Sequence, residues 1–407
     1  MRNKKLLGGA AALLSASLLF AGCGSRSEPA ASGSAAATKV AKIGVIAPLS
    51  GDLSALGLGI KNSVDLAIRQ ANQSNAIPGW TLELAAEDDQ ASADVGKNAA
   101  TKLSSDNEVV GVVGALNSSV SKQVIPVLQP ARIVQVSPAN TGPTLTMGDD
   151  FATSPKRVYD NFFRTCTTDL VQGKVAAQYL LDSGIKKLAT IHDKKIYGQG
   201  LVGAVTENFK AGGGTIVAAE TINPDDKEFT AVITKVKGTA PEAVFYGGEY
   251  PQAGPLSKQM KAAGLDVPLM GGDGIFDPTY IELAGSASNG DLATSVGEPA
   301  DTAKSAQEFI AAYNAAGFAE PYAAYGAQSY DAAKAIIEAL KVSLPSASDP
   351  KSAREATIKA MANVTFTGAT GTVAFDEFGD TKSKVITVYK VESGKWATVK
   401  TFDVSNG

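Results

Sequence analysis

Short apolar runs alternate along this chain with longer stretches whose apolar positions recur at helical spacing. KIGVIAP (42–48) is apolar at nearly every position and predicts a strand. LGIKNSVDLAIRQANQ (58–73) follows, with Ile60, Val64, Ala67 and Ile68 on one helical face. TLELAAEDD and ADVGKNAATKLSS form a second such unit, VVGVVGA and SVSKQVIPVLQ a third, and RIVQVSP closes the run of strands. A strand that faces solvent on one side alternates apolar and polar residues, whereas these are apolar throughout. The alternation of strand and helix therefore predicts an α/β fold, with a parallel sheet covered on both faces.

The pattern restarts after about residue 165. KKLATIHD reads as a strand, followed by a helix from about 199 and the strand GTIVAAE. DKEFTAVITKVKG is helical, AVFYGG a strand, PLSKQMKAAG helical and VPLMGG a strand. Two βαβ modules thus follow one another. Beyond about 290 come the helical stretches SAQEFIAAYNAAG and SYDAAKAIIEALKVS, and then a hairpin, VITVYKVESGKWATV. An isolated hairpin is marginal in water, so this one is expected to pair with a sheet edge.

With 407 residues and 44% hydrophobic composition, the chain is long enough for two domains. The formal charge is −4 and no dense Lys/Arg stripe occurs, so no nucleic-acid partner is expected. Arg2, Lys4 and Lys5 precede the apolar run LLGGAAALLSASLLF (6–20), which is short for a spanning helix and reads as an export signal over residues 1–22. The segment ends Phe20-Ala21-Gly22-Cys23, which resembles the lipobox of bacterial lipoproteins. That resemblance implies cleavage before Cys23 and acylation of its thiol. Residues 23–39 then read as a lipidated cysteine and a flexible polar tether. The protein is expected to be exported and lipid-anchored at the extracytoplasmic face of the cell membrane.

Cys166 is the other cysteine, and with Cys23 acylated no intrachain disulfide can form. His192 is the single histidine and no obvious base for that thiol, so Cys166 is expected to be a buried structural residue. These residues supply no Ser/His/Asp set and no metal constellation, so no catalytic residue, metal or cofactor is expected. Carboxylate chemistry by Asp273 and Glu249 has no supporting motif.

Ligands on parallel sheets bind beyond the carboxyl ends of the strands. After VVGVVGA come Leu116, Asn117, Ser118 and Ser119; after RIVQV come Ser137, Pro138, Ala139, Asn140, Thr141 and Gly142. In the second module YGG leads to Glu249 and Tyr250, and LMGG to Asp273 and Gly274. The first module offers hydroxyls and backbone N–H groups near helix starts, the second acids and tyrosines. Ser118 has the alternative of a plain helix N-cap, and Asp273, followed by glycine, that of a solvated turn acid.

KIGVIAPLSG (42–51), GALNSS (114–119), SPANTGPTLT (137–146), FFRT (162–165), IHDKKIYGQG (191–200), YGGEYPQAG (246–254) and MGGDG (270–274) carry a resemblance over most of residues 40–400. Together they resemble the leucine/isoleucine/valine-binding proteins that feed bacterial ABC importers. The resemblance implies a type I periplasmic-binding-protein fold, with two Rossmann-like lobes of parallel sheet closing on a ligand across a three-segment hinge. It places the crossings near 164–169, 292–299 and 375–380. Lobe 1 would comprise 40–165 plus 296–375, and lobe 2 166–295 plus 376–407. A small amino acid, branched-chain or otherwise aliphatic, would be captured as its zwitterion and passed to an ABC permease by a monomeric protein. Another small polar metabolite (an amide, a urea-like compound or an aromatic acid) is the alternative within this fold.

Gly198, Gly200 and Gly203 have the G-x-G-x-x-G spacing of a dinucleotide site, with an acid, Glu220, beyond. In such a site the first glycine turns directly off the strand. Here His192 to Tyr197 intervene, so the glycines are expected to form a loop leading into a helix.

A bound zwitterion needs converging donors for its carboxylate and acceptors for its ammonium. The resemblance assigns the first task to the Ser118 hydroxyl, the Ser118 and Ser119 N–H groups and Thr141. It assigns the second to the Ala139 carbonyl, the Thr141 hydroxyl and Asp273. Tyr197 would reach into the cleft, and Leu56, Leu116, Asn117, Asn140 and Glu249 complete the predicted ligand set. The well-known relatives have an aromatic residue at the position of Leu56, a tyrosine at that of Glu249, and a disulfide between the positions of Ala91 and Asn117. Glu249 either selects a more polar or cationic ligand or points to solvent.

Overall fold

The computed structural model describes residues 38–405. The export signal, Cys23 and most of the tether lie outside the described residues. Among the described residues no helix is long and apolar enough to cross a membrane.

The first lobe is built from β1 (Lys39–Ala47), α1 (Ser54–Gln73), β2 (Trp80–Asp88), α2 (Ala93–Ser105), β3 (Val109–Gly114), α3 (Ser118–Leu128), β4 (Val134–Ser137), the short α4 (Thr144–Met147) and β5 (Phe162–Arg164). Its sheet has the order β2-β1-β3-β4-β5 and is parallel throughout. Every residue of β3 is buried, as both faces are covered. Val112 packs with Leu103 of α2 and Val124 of α3. Val113 belongs to the opposite core with Ile60, Val64, Ala67 and Ile68, the predicted apolar face of α1.

The second lobe opens with α5 (Asp169–Asp182), which was not read from the sequence. It continues through β6 (Lys187–His192), α6 (Ile196–Ala211), β7 (Thr215–Thr221), α7 (Thr230–Gly238), β8 (Ala243–Gly247), α8 (Tyr250–Ala262), β9 (Leu269–Gly271), α9 (Pro278–Ala284) and β10 (Leu292–Val296). The chain then returns to the first lobe with α10 (Gln307–Ala315), α11 (Gly326–Ser343), α12 (Pro350–Met361) and the small ribbon β11 (Thr365–Gly368) and β12 (Gly371–Ala374). There α11 packs on α1 and α12 on β3. Finally β13 (Val385–Glu392) and β14 (Lys395–Asp403) join the second sheet, whose order is β14-β13-β10-β9-β8-β6-β7. The terminal hairpin docks antiparallel on β10, so this sheet is mixed. The chain therefore passes between sheets after Arg164, after Val296 and after Ala374.

One element departs from its sequence reading. Gly198, Gly200 and Gly203 lie inside α6, which begins at Ile196, and not in a loop leading into it. A Cβ at Gly198 would collide with the Gly247 carbonyl and the Asp193 carboxylate. Gly198 is thus required by the close approach of α6 to the end of β8. Beyond the first turn the N–H groups of α6 are spent in its own ladder, so the motif forms no pyrophosphate cradle.

Candidate functional site

The first-lobe wall is made by two loops at the carboxyl ends of β3 and β4. The Ser137 hydroxyl donates to the Ala115 carbonyl (2.8 Å) and accepts from the N–H groups of Ala139 and Asn140 (3.2 and 2.9 Å). Asn140 Nδ2 donates to the Leu116 carbonyl at 2.7 Å. The two loops are therefore laced together. Behind them sits Arg164, fully buried, whose Nη1 donates to the carbonyls on either side of Thr141, those of Asn140 (2.8 Å) and Gly142 (2.9 Å). Its Nε pairs with Asp380 Oδ1 at 2.5 Å. The Thr141 carbonyl takes the Asp169 N–H at 2.8 Å. With its backbone fixed on three sides, Thr141 presents a buried hydroxyl that makes no close hydrogen bond among the described residues.

Ser118 opens α3, and its Oγ lies beside Gly142. The N–H groups of Val120 and Ser121 bond to the Asn117 carbonyl. Those of Ser118 and Ser119 precede the helix ladder and stand at its positive end. Leu56 in α1, Leu116 and Ala139 are buried apolar residues of the same lobe.

The second-lobe wall centres on Asp273, which follows β9 and is 1% exposed. Its Oδ1 accepts from the Tyr197 hydroxyl (2.8 Å) and from Gln172 Nε2 (2.9 Å). Its Oδ2 accepts from the hydroxyl of Tyr325 (2.8 Å), the residue before α11 in the other lobe. Tyr197 is held in turn by the Gly274 N–H (3.0 Å). Gln172 is held by the Asp273 N–H (3.1 Å) and the Thr294 hydroxyl (2.9 Å). All three donors to Asp273 are neutral. Burial raises its pKa, and these bonds only oppose that shift.

Asp169 lies nearby, its two carboxylate oxygens buried and making no close hydrogen bond among the described residues. Burial pushes it up to about 7; the Thr141 hydroxyl opposes the shift and the charge of Asp273 adds to it. The guanidinium of Arg164 is already committed to Asp380. Two buried carboxylates with no cation of their own make this wall an acceptor site for a positive group.

Glu249 is buried, so its solvent-facing alternative does not hold. Its Oε1 accepts from Asn117 Nδ2 of the first lobe at 2.8 Å, and its Oε2 pairs with Lys195 Nζ at 3.0 Å. Two further bonds cross the same seam: the Ile196 N–H to Ser119 Oγ (3.3 Å) and the Tyr250 hydroxyl to the Asp52 carbonyl (2.6 Å).

Most of the predicted residues therefore follow the carboxyl ends of strands on facing walls, with Leu56 in α1 and Tyr197 in the first turn of α6, and Asp273–Tyr197 and Asn117–Glu249 are in direct contact. Gln172, Tyr325, Asp169 and Lys195 belong to the same constellation and were not singled out from the sequence. Lys195 alone carried a local signal, being a cation two residues before Tyr197. A groove of about 1160 Å³ runs beside the three inter-lobe passages, lined by Thr165, Val296, Tyr322, Lys382, Tyr389 and Trp396 among others. None of Ser118, Thr141 or Asp273 lines it. Cys166 is buried, its thiol donating to the Asn140 carbonyl at 3.2 Å, and burial raises its pKa. Among the described residues no group of three His, Cys, Asp or Glu is placed to hold a metal.

Two α/β lobes, one sheet wholly parallel and the other parallel with an antiparallel terminal hairpin, facing walls of complementary polarity and three connecting passages define a two-lobed solute-binding protein. The family model for periplasmic binding proteins matches residues 40–395, and the chain belongs to that family. It is 32% identical over 354 residues to a Leu/Ile/Val-binding protein homolog of Brucella melitensis, covering 87% of this chain and 92% of the relative. It is likewise 32% identical over 356 residues to the Leu/Ile/Val-binding protein BraC3 of Rhizobium johnstonii, with the same coverage. A leucine-binding protein, LivK, from Thermotoga maritima superposes with a TM-score of 0.79 at 25% identity, covering 90% of this chain and 99% of that one. The branched-chain amino acid transporter substrate-binding protein LivJ of Streptococcus pneumoniae, solved with isoleucine, also gives 0.79, at 26% identity over 90% and 100%.

Proposed function

We propose that the protein captures a small amino acid as its zwitterion between the two lobes and delivers it to the permease of an ABC importer, without catalysing a reaction. The observation that carries this reading is Asp273, a buried carboxylate held by three neutral donors, on the wall opposite the positive end of α3. The ligand ammonium is placed against Asp273, the Ala139 carbonyl and the Thr141 hydroxyl. Its carboxylate is placed against the Ser118 hydroxyl and the N–H groups of Ser118 and Ser119. Leu56, Leu116, Asn117, Asn140 and Tyr197 enclose the rest, with Glu249 behind Asn117 at the seam. Relatives named for leucine, isoleucine and valine, and a neighbour solved with isoleucine, make branched-chain amino acids the first candidates.

In this reading residues 40–165 plus 296–375 act as lobe 1 and 166–295 plus 376–407 as lobe 2. Residues 1–22 direct export, and acylated Cys23 anchors a monomer to the membrane by the 23–39 tether. A ligand that binds only the folded state must raise its melting temperature. Leucine, isoleucine or valine at millimolar concentration is expected to do so, and benzoate, which lacks an ammonium for Asp273, is not. Stabilisation by benzoate with silence from all three amino acids would overturn the reading.

A further inference from the structure

Asn117, Lys195 and Glu249 are the N-cap residues of α3, α6 and α8. An N-cap side chain ordinarily bonds to a free N–H of its own first turn. None of these three does. Each reaches to another cap instead: Asn117 Nδ2 to Glu249 Oε1, and Lys195 Nζ to Glu249 Oε2. Three helix N-termini, one from the first lobe and two from the second, thus converge on one carboxylate. Each helix start carries roughly half a positive charge. Together with the Lys195 ammonium they would repel one another without the acids beside them, Glu249 and, next to Lys195, Asp193. The residues that follow the two second-lobe caps, Ile196 and Tyr250, add their own bonds across the seam.

Both oxygens of Glu249 are engaged by protein groups, Asn117 and Lys195, and Lys195 also faces the buried Asp193. Such a carboxylate is poorly placed to select a cationic ligand. Its partner Asn117 is bonded to Ser118, so a pull on Asn117 also sets where the first turn of α3 stands. We propose that Glu249, held by Lys195, is a closure residue. It acts through Asn117 to clasp α3 onto the second lobe, and it sets how readily the jaw shuts and not which side chain the jaw holds. The effect on affinity rests on the amino-acid reading given above; the clasp itself does not.

A clasp of this kind raises the fraction of protein in the closed state. It therefore tightens every ligand by the same factor. A residue that touches the ligand side chain changes the ratios between ligands instead. Dissociation constants for L-leucine, L-isoleucine and L-valine, measured calorimetrically on wild type and Glu249→Ala, separate the two. The expected result is weaker binding of all three by one common factor, about 5- to 30-fold for loss of charge-assisted bonds. Glu249→Gln, which keeps an acceptor for Asn117 and loses the charge facing Lys195, is expected to give a smaller common factor. It also serves if the alanine variant does not fold. In a double-mutant cycle with Asn117→Ala the two losses are expected not to add. Factors that differ between ligands by more than about threefold, or no loss at all, would overturn the proposal. If wild type binds none of the three, the amino-acid reading fails by itself. Small-angle X-ray scattering of the ligand-free proteins then judges the clasp: Glu249→Ala must enlarge the radius of gyration, and an unchanged radius refutes it.

Discussion

On the proposed reading, the two walls of the cleft meet opposite ends of the ligand with different chemistry. The first-lobe wall uses no charged side chain among its predicted ligand groups. It presents a serine hydroxyl, a threonine hydroxyl and the N–H groups at the start of α3, on loops braced from behind by Arg164. The second-lobe wall presents carboxylates. The two acids there also differ: Glu249 has Lys195 for company, whereas Asp273 has only Tyr197, Tyr325 and Gln172. An anion can be held by neutral dipoles alone, because a helix N-terminus and hydroxyls supply donors already oriented. A cation in a dry site is best met by a formal negative charge. The protein therefore keeps an unbalanced charge on one wall only, and that wall gains most from a ligand that brings the two together.

The sharpest way to break this contrast is to neutralise its charged side. Asp273→Asn keeps the shape and the oxygen and removes the charge. Loss of one partner of a buried charge pair costs about 2–5 kcal/mol, so affinity for leucine is expected to fall by at least about 30-fold in calorimetry. The ligand-free variant should melt no lower than wild type, because burial already disfavours the charge of Asp273. A variant that binds leucine normally would remove Asp273 from the site. On the opposite wall Ser118→Ala takes away one donor among several. About tenfold weaker binding is expected there, with little change in melting temperature, since the Ser118 hydroxyl caps no helix. Equal effects of the two substitutions would mean that the walls do not divide the labour as argued.

Legibility followed sequence distance. The strands and most helices were readable because their apolar positions repeat within a dozen residues, and the terminal hairpin declared its need for an edge, which β10 supplies. Helix α5 was missed because Asp169, Gln172, Gly173, Val175, Ala176, Ala177 and Leu180 are all buried, which blurs a one-sided stripe. The start of α6 was misjudged because IYGQG has poor helix formers, and packing of Gly198 on Gly247 overrides that preference. In the site, Ser118, Tyr197 and Asp273 could be found from strand ends and resemblance. Tyr325 and Gln172, 52 and 101 residues from Asp273, could not, and neither could the pairing of the predicted Asn117 with the predicted Glu249, 132 residues apart. No periodicity encodes contacts at such separations.

The smallest expected effect is on protons, and it tests whether the second wall is short of positive charge. Asp169 has a pKa of about 7 in the folded protein, against an ordinary 3.8, chiefly through burial. At pH 6 it holds a proton in the ligand-free state. An ammonium arriving beside Asp169 and Asp273 favours the ionised form and expels that proton. Binding is therefore expected to strengthen as pH rises from about 5 to 7, by a few-fold per unit and at most tenfold for one proton. Calorimetry in buffers of different ionisation enthalpy should show net proton release at pH 6, and Asp169→Asn should reduce it. Stability of the ligand-free protein has its own sign. A carboxyl group whose pKa is raised on folding binds protons more tightly when folded, so its contribution is present at low pH and is lost as pH climbs from about 4 to 7. Asp89 and Asp193, also raised to about 7 by burial, add to that loss of stability. Neither is placed against the ammonium, so the binding profile reports on Asp169 and Asp273, while the melting profile sums these with the other acids that burial raises, Asp277, Asp291, Asp331 and Asp376 among them. Binding that is flat in pH over this range, with no proton released, would show that the positive end of the ligand lies elsewhere and that the wall's unbalanced charge serves another purpose.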